Sequence, residues 1–516
     1  MTLLRRTIRE NYRLADAVRS LKVPTIDVSS IATTSKNGPS PLELYENKVA
    51  SLIMACPNLE RLVGPLPAYN HTFKRIYQAL STRAKLKSMD WRMESVQDLE
   101  PHRPESSCAM SPLPADLTAV QEMTFLEHHR GWTALTSLSI HCLPGASLAP
   151  GTLLERTLTC LPSLKHLHLS CIPANAFNDN NLLSLPALKT LTLSHISGIS
   201  SSGLSTFATR PNSKALTGLH LRHTPLTSLP ALARLFSNLS KLISFSLVQD
   251  FSPLMPDDDV FTLWMMPYLA SGSISKLHWD ITSKLPFGVN DADDILARSI
   301  AAGGFPSLRT LRAPNDPAGI FQELCRPKDR HDLPSDRFTA AASAVTPTST
   351  TSPTRRKASF SAPTSPVKHL KKSSTSQSLP TTFSAPPPHG TDLRAARLAA
   401  QARLEESRYQ YKFQVNVFAE DGLLIDKFAL GDYIGTIGSQ IEYHLLPDLG
   451  SSDEKGGLVD IPDLTADAGE TLGPGNEGCT GSWNWREGVV ADKKEKERWW
   501  HTERGRWMKP HLDGGS

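Results

Sequence analysis

Leu161-Pro162-Ser163-Leu164-Lys165-His166-Leu167-His168-Leu169 and, 24 residues on, Leu185-Pro186-Ala187-Leu188-Lys189-Thr190-Leu191-Thr192-Leu193 carry one pattern: a proline, then L-x-x-L-x-L. Alternate side chains of a strand face opposite sides of its sheet. The pattern therefore predicts that Leu167 and Leu169 point into a core while His166 and His168 point away from it.

The pattern recurs along the first three hundred residues. Further copies are Leu135, Leu138, Ile140 and Leu216, Leu219, Leu221, with looser ones at Leu59, Leu86, Leu242, Ile274 and Leu308. Their steps of 24 to 34 residues lie in or near the leucine-rich-repeat range. The 49 residues from Leu86 to Leu135 amount to about two periods, which predicts a degenerate unit near Leu113 to Leu126. Val18, Leu21 and Val23 fit a first unit. The segments Asp179–Leu185, Gly203–Phe207, Ala231–Phe236 and Ala292–Ile300 have the apolar spacing of short helices. The expected fold class is α/β: an irregular leucine-rich-repeat solenoid, a curved parallel sheet with helices on its outer face. Where such repeats usually place a buried Asn, this chain has Leu143, Ile172, Ile196 and Thr224, so the turns must be satisfied in another way.

Composition changes sharply downstream. Thr339–Gly390 is rich in Ser, Thr, Pro and Ala and reads as disordered linker. Asp392–Tyr411 reads as helix. The alternation of Phe413, Val415 and Val417 with the Asp421-Gly422 turn signal predicts a small hairpin or cap. Ser451–Gly478 is acidic and Gly-rich. Trp483, Trp485, Trp499, Trp500 and Trp507 stand in a charged tail, placed to return over the open end of the solenoid. The expected division is 1–325 repeats, 326–391 linker, 392–450 helix with hairpin or cap, and 451–516 acidic loop and tail.

The balance of 39% hydrophobic and 21% charged residues is that of a folded body. With 55 basic and 51 acidic residues, net charge +4, no continuous polyanion-binding face is indicated, so no nucleic-acid partner is expected. Seven scattered cysteines with no C-x-x-C pair read as small apolar core residues in a reducing compartment. No apolar run is long enough for a membrane span and no signal-peptide core opens the chain, so a cytoplasmic or nuclear location and no membrane partner are expected. The arginines of Met1–Ser20, interrupted by Glu10 and Asp16, read as an amphipathic helix rather than a transit peptide.

No spacing indicates catalysis or a cofactor. His166 and His168 between Cys160 and Cys171 have a metal site's composition, but the repeat already places the cysteines at apolar positions and the histidines outward, so no metal is expected. Gly431–Gly438 lacks phosphate-loop spacing and reads as turns; Asp257-Asp258-Asp259 lacks calcium-loop spacing. The candidate site is instead the outward column of the repeats: Ser139, His168, Thr192, His220, Ser246 and His278. Stacked in register, they would form a polar concave surface for a protein target. Thr346, Ser352 and Ser365, each before a proline, and Ser359 after Arg355-Arg356-Lys357 are candidate phosphorylation sites. The same bases with Lys368, Lys371 and Lys372 read as a weak nuclear-import signal.

The two quoted repeats, with the opening Leu3-Leu4-Arg5-Arg6-Thr7-Ile8-Arg9-Glu10-Asn11-Tyr12-Arg13-Leu14-Ala15-Asp16-Ala17-Val18-Arg19-Ser20-Leu21, resemble fungal F-box proteins with leucine-rich repeats. The resemblance covers roughly residues 1–315 and rests on the repeat pattern. It implies a target-binding surface and, where an F-box lies upstream, docking on the Skp adaptor of a cullin ubiquitin ligase. The opening helix resembles the segment just downstream of an F-box. No F-box is evident, although Leu113-Pro114-Ala115-Asp116-Leu117 imitates the start of one where a repeat is due. The alternative expectation is an adaptor-independent scaffold regulated by phosphorylation of its linker.

Overall fold

The computed structural model describes residues 1–23, 41–64, 66–95, 116–146, 148–255, 267–282, 291–331, 393–411 and 413–445. Residues 332–391 of the expected linker with its phosphorylation candidates, Asp257-Asp258-Asp259 and the tryptophan tail lie outside them, whereas 326–331 are described. Two short helices open the chain, α1 (Thr2–Glu10) and α2 (Tyr12–Ala17), rather than the single helix expected. Asn11 is the break: its backbone is extended and its side chain accepts a hydrogen bond from Leu14 N, capping α2. Strand β1 (Ser20–Lys22), helix α3 (Pro41–Ala55) and strand β2 (Arg61–Val63) come next, and β1 pairs parallel with β2 as a separate two-stranded sheet.

From there strand and helix alternate, except that among the described residues β8 is followed directly by β9. The order is α4 (Arg75–Ser81), β3 (Ser88–Met93), α5 (Ala119–Arg130), β4 (Ser137–Cys142), α6 (Thr152–Thr159), β5 (His166–Ser170), α7 (Asp179–Leu183) and β6 (Thr190–Ser194). It continues with α8 (Ser201–Thr209), β7 (Gly218–Arg222), α9 (Leu229–Asn238), β8 (Ser244–Gln249), β9 (Lys276–Ile281), α10 (Asp291–Ala301), β10 (Thr310–Arg312) and α11 (Ile320–Leu324). Each strand from β3 to β10 pairs parallel with the next. Sequential parallel neighbours joined through helices leave one sheet face for the helices and the other uncovered by them.

Register explains the leucines. Leu138, Leu167, Leu191, Leu219, Phe245, Leu277 and Leu311 form one cross-strand column, and Ile140, Leu169, Leu193, Leu221, Leu247 and Trp279 a second. All are buried in one cluster with helix residues such as Leu154, Leu182, Leu204, Leu232 and Leu296. Fully burying such a side chain is worth about 1.5–3 kcal/mol, so each column is a large apolar contribution to stability.

The 49-residue step before Leu135 is one long unit, not two. Strand β3 pairs directly with β4, so no strand of the sheet lies between them, and the apolar residues Phe125 and Leu126 belong instead to α5. That helix begins with a reciprocal capping box between Thr118 and Gln121. It carries a buried histidine into an aromatic cluster: Trp91 Nε1 donates to His129 Nε2 at 3.1 Å, and His129 Nδ1 lies 2.7 Å from Phe125 O. Nδ1 must then be the protonated nitrogen, and the ring is neutral. Trp132 Nε1 ties the same cluster to Leu80 O at 2.9 Å.

The sheet's last strand comes from far downstream. Helix α12 (Leu393–Ser407) precedes a hairpin, β11 (Phe413–Phe418) with β12 (Leu424–Leu430), whose turn holds Gly422 at φ +82°. Then β13 (Glu442–Tyr443) pairs parallel with β10, making a nine-stranded sheet among the described residues. Tyr443 Oη donates to Ala313 O at 2.9 Å and lies 3.2 Å from Asp316 Oδ2; Lys328 bonds Tyr443 O and pairs with Glu442. Gly435, in the stretch read as turns, sits at φ +122° against Cys325 and Pro327, where a Cβ would meet Cys325 O at 2.7 Å. Its lack of a side chain lets that loop close on the strand edge.

Burial holds the His129 pKa down to about 3, against about 6.5 in an unfolded chain. A folded pKa below the unfolded one stabilises above pH 6.5, and that stability is lost as pH falls from 6.5 toward 3. Between pH 7 and pH 5 the loss is about 2 kcal/mol. Urea denaturation at the two pH values should show it, and His129→Gln should flatten the difference by that amount; an unchanged pH dependence in the variant would refute the assignment.

Candidate binding surface

The face of β3–β10 turned away from the leucine columns carries three parallel rows. The sequence-chosen residues Ser139, His168, Thr192, His220, Ser246 and His278 fall in one of them, each opposite the next across the ladder. Asp90 extends the row at one end and Arg312 at the other. Strand spacing sets these side chains about 4.8 Å apart.

Exposure along the row is uneven. His168, His220, His278 and Ser139 are half-buried, but Thr192 and Ser246 are only 8% and 7% exposed. Thr192 lies between His168 and His220, and Ser246 between His220 and His278, so the longer imidazoles overshadow the shorter hydroxyls. Ser246 Oγ lies 2.9 Å from His278 Nδ1, and in the neighbouring row His166 Nδ1 lies 3.0 Å from Thr190 Oγ1. Burial, then Lys189 and Lys165, lower the His166 pKa, which keeps that imidazole neutral near pH 7. Because the hydroxyl–imidazole contact recurs between adjacent strands at two places, it reads as a strand-to-strand brace within a row rather than a nucleophile and its base.

A third row, at the carboxyl ends of the strands, escaped the sequence reading. It holds Arg92, His141, Ser170, Ser194, Arg222, Val248 and Asp280, and from Ser170 onward its members are buried. The residue after each of β5, β6 and β7, namely Cys171, His195 and His223, takes positive φ of 54°, 51° and 44°. That turn keeps the ladder going: Cys171 N donates to Ser194 O, His195 N to Arg222 O and His223 N to Val248 O, all within 2.7–2.9 Å. This is how the turns are satisfied without an Asn ladder. Ile172, Ile196 and Thr224 come directly after and are buried. The rings of His195 and His223 stack at 4.6 Å, those of His141 and His168 meet edge-on at 4.7 Å, and His223 Nδ1 lies 3.9 Å from Asp250. The signal was present as the triplets Leu169-Ser170-Cys171, Leu193-Ser194-His195 and Leu221-Arg222-His223, which share the leading leucine but end in cysteine or histidine rather than glycine or asparagine.

Where β2 and β3 diverge, a cavity of about 370 Å³ adjoins this face, lined by Arg61, Gly64, Asp90, Trp91, Arg92 and His141 among others. Cys160 ends helix α6 and Cys171 lies just past β5; among the described residues no group of three or more His, Cys, Asp or Glu converges as a metal site would require. No described helix is long and apolar enough to cross a membrane.

No protein-family model matches the sequence, and no curated protein does. Among solved structures the chain is similar to the leucine-rich repeat-containing protein LegL7 of Legionella pneumophila, at 13% identity and a TM-score of 0.26, over 58% of this chain and 96% of that one.

A left-handed residue with a Cβ costs roughly 1–2 kcal/mol, most for a branched side chain. Cys171→Val should therefore unfold at lower urea, by about 1–2 kcal/mol, while Cys171→Gly should stay within about 0.5 kcal/mol of the parent. Equal midpoints for the two variants would show that the strand end is not held in this conformation.

Proposed function

We propose that this chain is an irregular leucine-rich-repeat solenoid that holds a protein target on the outward face of its sheet. The observation that carries the reading is the row of Ser139, His168, Thr192, His220, Ser246 and His278, brought into register by six consecutive parallel strands. A row of donors and acceptors on rigid strands, repeated at a fixed spacing, suits an extended polar surface better than a single small substrate. The half-buried imidazoles are its contact points. The surface is read as binding rather than catalytic, and the proposal includes no cofactor.

The resemblance to F-box proteins gives this binding a use, as substrate recognition for a cullin ubiquitin ligase reached through the Skp adaptor. The second reading, an adaptor-independent scaffold, is favoured by the linker: Thr346, Ser352 and Ser365 each precede a proline, and Ser359 comes after Arg355-Arg356-Lys357. Phosphorylation there adds about two negative charges per site.

Affinity purification of the full chain at endogenous level separates the two. The ligase reading expects Skp and cullin to co-purify, and the absence of both sinks it. The scaffold reading expects targets without the adaptor, and a change in their recovery when all four hydroxyl residues are replaced by Ala. On either reading His168→Glu, His220→Glu and His278→Glu together should reduce target recovery at least tenfold; undiminished recovery removes the face from consideration.

A further inference from the structure

In a parallel sheet alternate residues of a strand hydrogen-bond to opposite neighbours. On β3 the set at Lys87, Met89, Trp91 and Met93 serves β4, since Ser137 N donates to Lys87 O and Leu143 N to Met93 O. The backbone groups of Ser88, Asp90 and Arg92 therefore face β2. On β2, Arg61 N donates to Arg19 O and Val63 O accepts from Val23 N, so Arg61 and Val63 serve β1 while Leu62 and Gly64 face β3.

These two facing sets do not join. A ladder begins, with Lys87 N donating to Glu60 O at 2.8 Å, and it resumes farther on, where Tyr69 N donates to Arg92 O at 2.6 Å and Glu94 N to Tyr69 O at 2.8 Å. Between those points no backbone hydrogen bond links the described residues of β2 and β3. The sequence encodes the break. Gly64 stands at φ +127°, which turns the end of β2 aside, and a Cβ in its place would collide with Val23 O. Pro65 and Pro67 come next, and neither has an N–H with which to continue a ladder.

The cavity of about 370 Å³ lies in this break, with Leu62 and Gly64 on one side and Asp90 and Arg92 on the other. Backbone groups left unpaired away from water cost free energy, so the break suits an occupant that both donates and accepts, as a peptide group does. Charge sets a second requirement. Arg61, Arg92 and His141 line the cavity against one acidic side chain, Asp90. Arg92 Nε is buried and has no hydrogen-bond partner among the described residues. Arg92 lies opposite His141, and Asp90 opposite Ser139, on the outward face, so the cavity is continuous with the end of the histidine row.

We propose that this break in the ladder is an anchoring pocket for a glutamate or aspartate side chain on an exposed segment of the protein target, its carboxylate held by Arg61 and Arg92 and its adjoining peptide groups by the facing edges of β2 and β3. A guanidinium offers a carboxylate two parallel N–H donors. Leu62 and Leu66 give the methylene groups of the side chain an apolar wall. The proposal rests on reading the outward face as a target surface, and it adds the chemical group that the target presents there.

The test is saturation-transfer difference NMR on the full-length protein with three probes, the N-acetyl methylamides of glutamate, glutamine and phosphoserine. The glutamate probe should bind with a dissociation constant of about 1 mM, as its size allows, and the glutamine probe at least tenfold more weakly. Arg61→Gln and Arg92→Gln should each weaken the glutamate probe at least fivefold. Circular dichroism checks folding; because Arg61 is exposed, its variant decides the matter if Arg92→Gln disturbs the fold. No binding of the glutamate probe at 20 mM, equal binding of the glutamate and glutamine probes, or affinity unchanged by Arg61→Gln would each overturn the proposal. Tighter binding of the phosphoserine probe would overturn the carboxylate assignment. The result is separable from target binding: probe binding with target recovery undiminished by the histidine substitutions keeps the pocket and removes the target reading, whereas target lost on those substitutions without probe binding keeps the face and removes the anchor.

Discussion

Everything in this fold depends on one constraint: no strand–helix unit can bury its own leucines. Leu167 and Leu169 are sealed only because Leu138 and Ile140 flank them on one side and Leu191 and Leu193 on the other, at the spacing that parallel hydrogen bonding imposes. Once one strand is in register the next has a single low-energy position, since a slip by one residue would turn its leucines to water and its histidines to the core. The polar rows are therefore by-products of the apolar columns. The hydrogen bonds that align Leu219 with Phe245 also align His220 with Ser246.

The same constraint makes the two ends of the array a liability, and each end answers it differently. At the start, β3 is backed by interlocked rings, Tyr69, Tyr77, Trp91, Phe125, His129 and Trp132, with centroid separations of 4.6–6.0 Å along the chain of contacts. At the far end, β10 would present unpaired backbone groups, and β13 covers them. Helix α12 reinforces that end: Arg403 Nε donates to Gln322 at 2.8 Å, and Gln322 Nε2 donates to Ala400 O at 3.2 Å.

Much of this was legible in the sequence because it is periodic. Leucine spacing placed the strands and helices from α7 to α10 to within a few residues, and it placed the outward row, since outward positions are fixed once inward ones are known. What was not legible depends on partners distant in sequence or on backbone geometry. Glu442-Tyr443 is too short to show alternation, and only its pairing with Thr310-Leu311 makes it a strand. The buried state of Thr192 and Ser246 depends on histidines one strand away. The left-handed positions are held by Cys171, His195 and His223, where glycine or asparagine would have announced the turn. Phe125 and Leu126, counted toward a missing repeat, are helical residues whose apolar spacing a short window does not distinguish from a strand's.

The late position of the edge strand sets a schedule for folding. Tyr443 is 130 residues beyond the Ala313 carbonyl that it bonds, whereas each earlier strand pairs with one made only a few dozen residues before. During synthesis at about 5–20 residues per second, the strands up to β10 can dock one after another as they emerge. The growing edge then waits roughly 6–26 seconds for its cover. For that interval the nascent chain presents an open parallel edge beside a newly formed apolar core, the state in which a neighbouring ribosome's product or a chaperone can pair with it first.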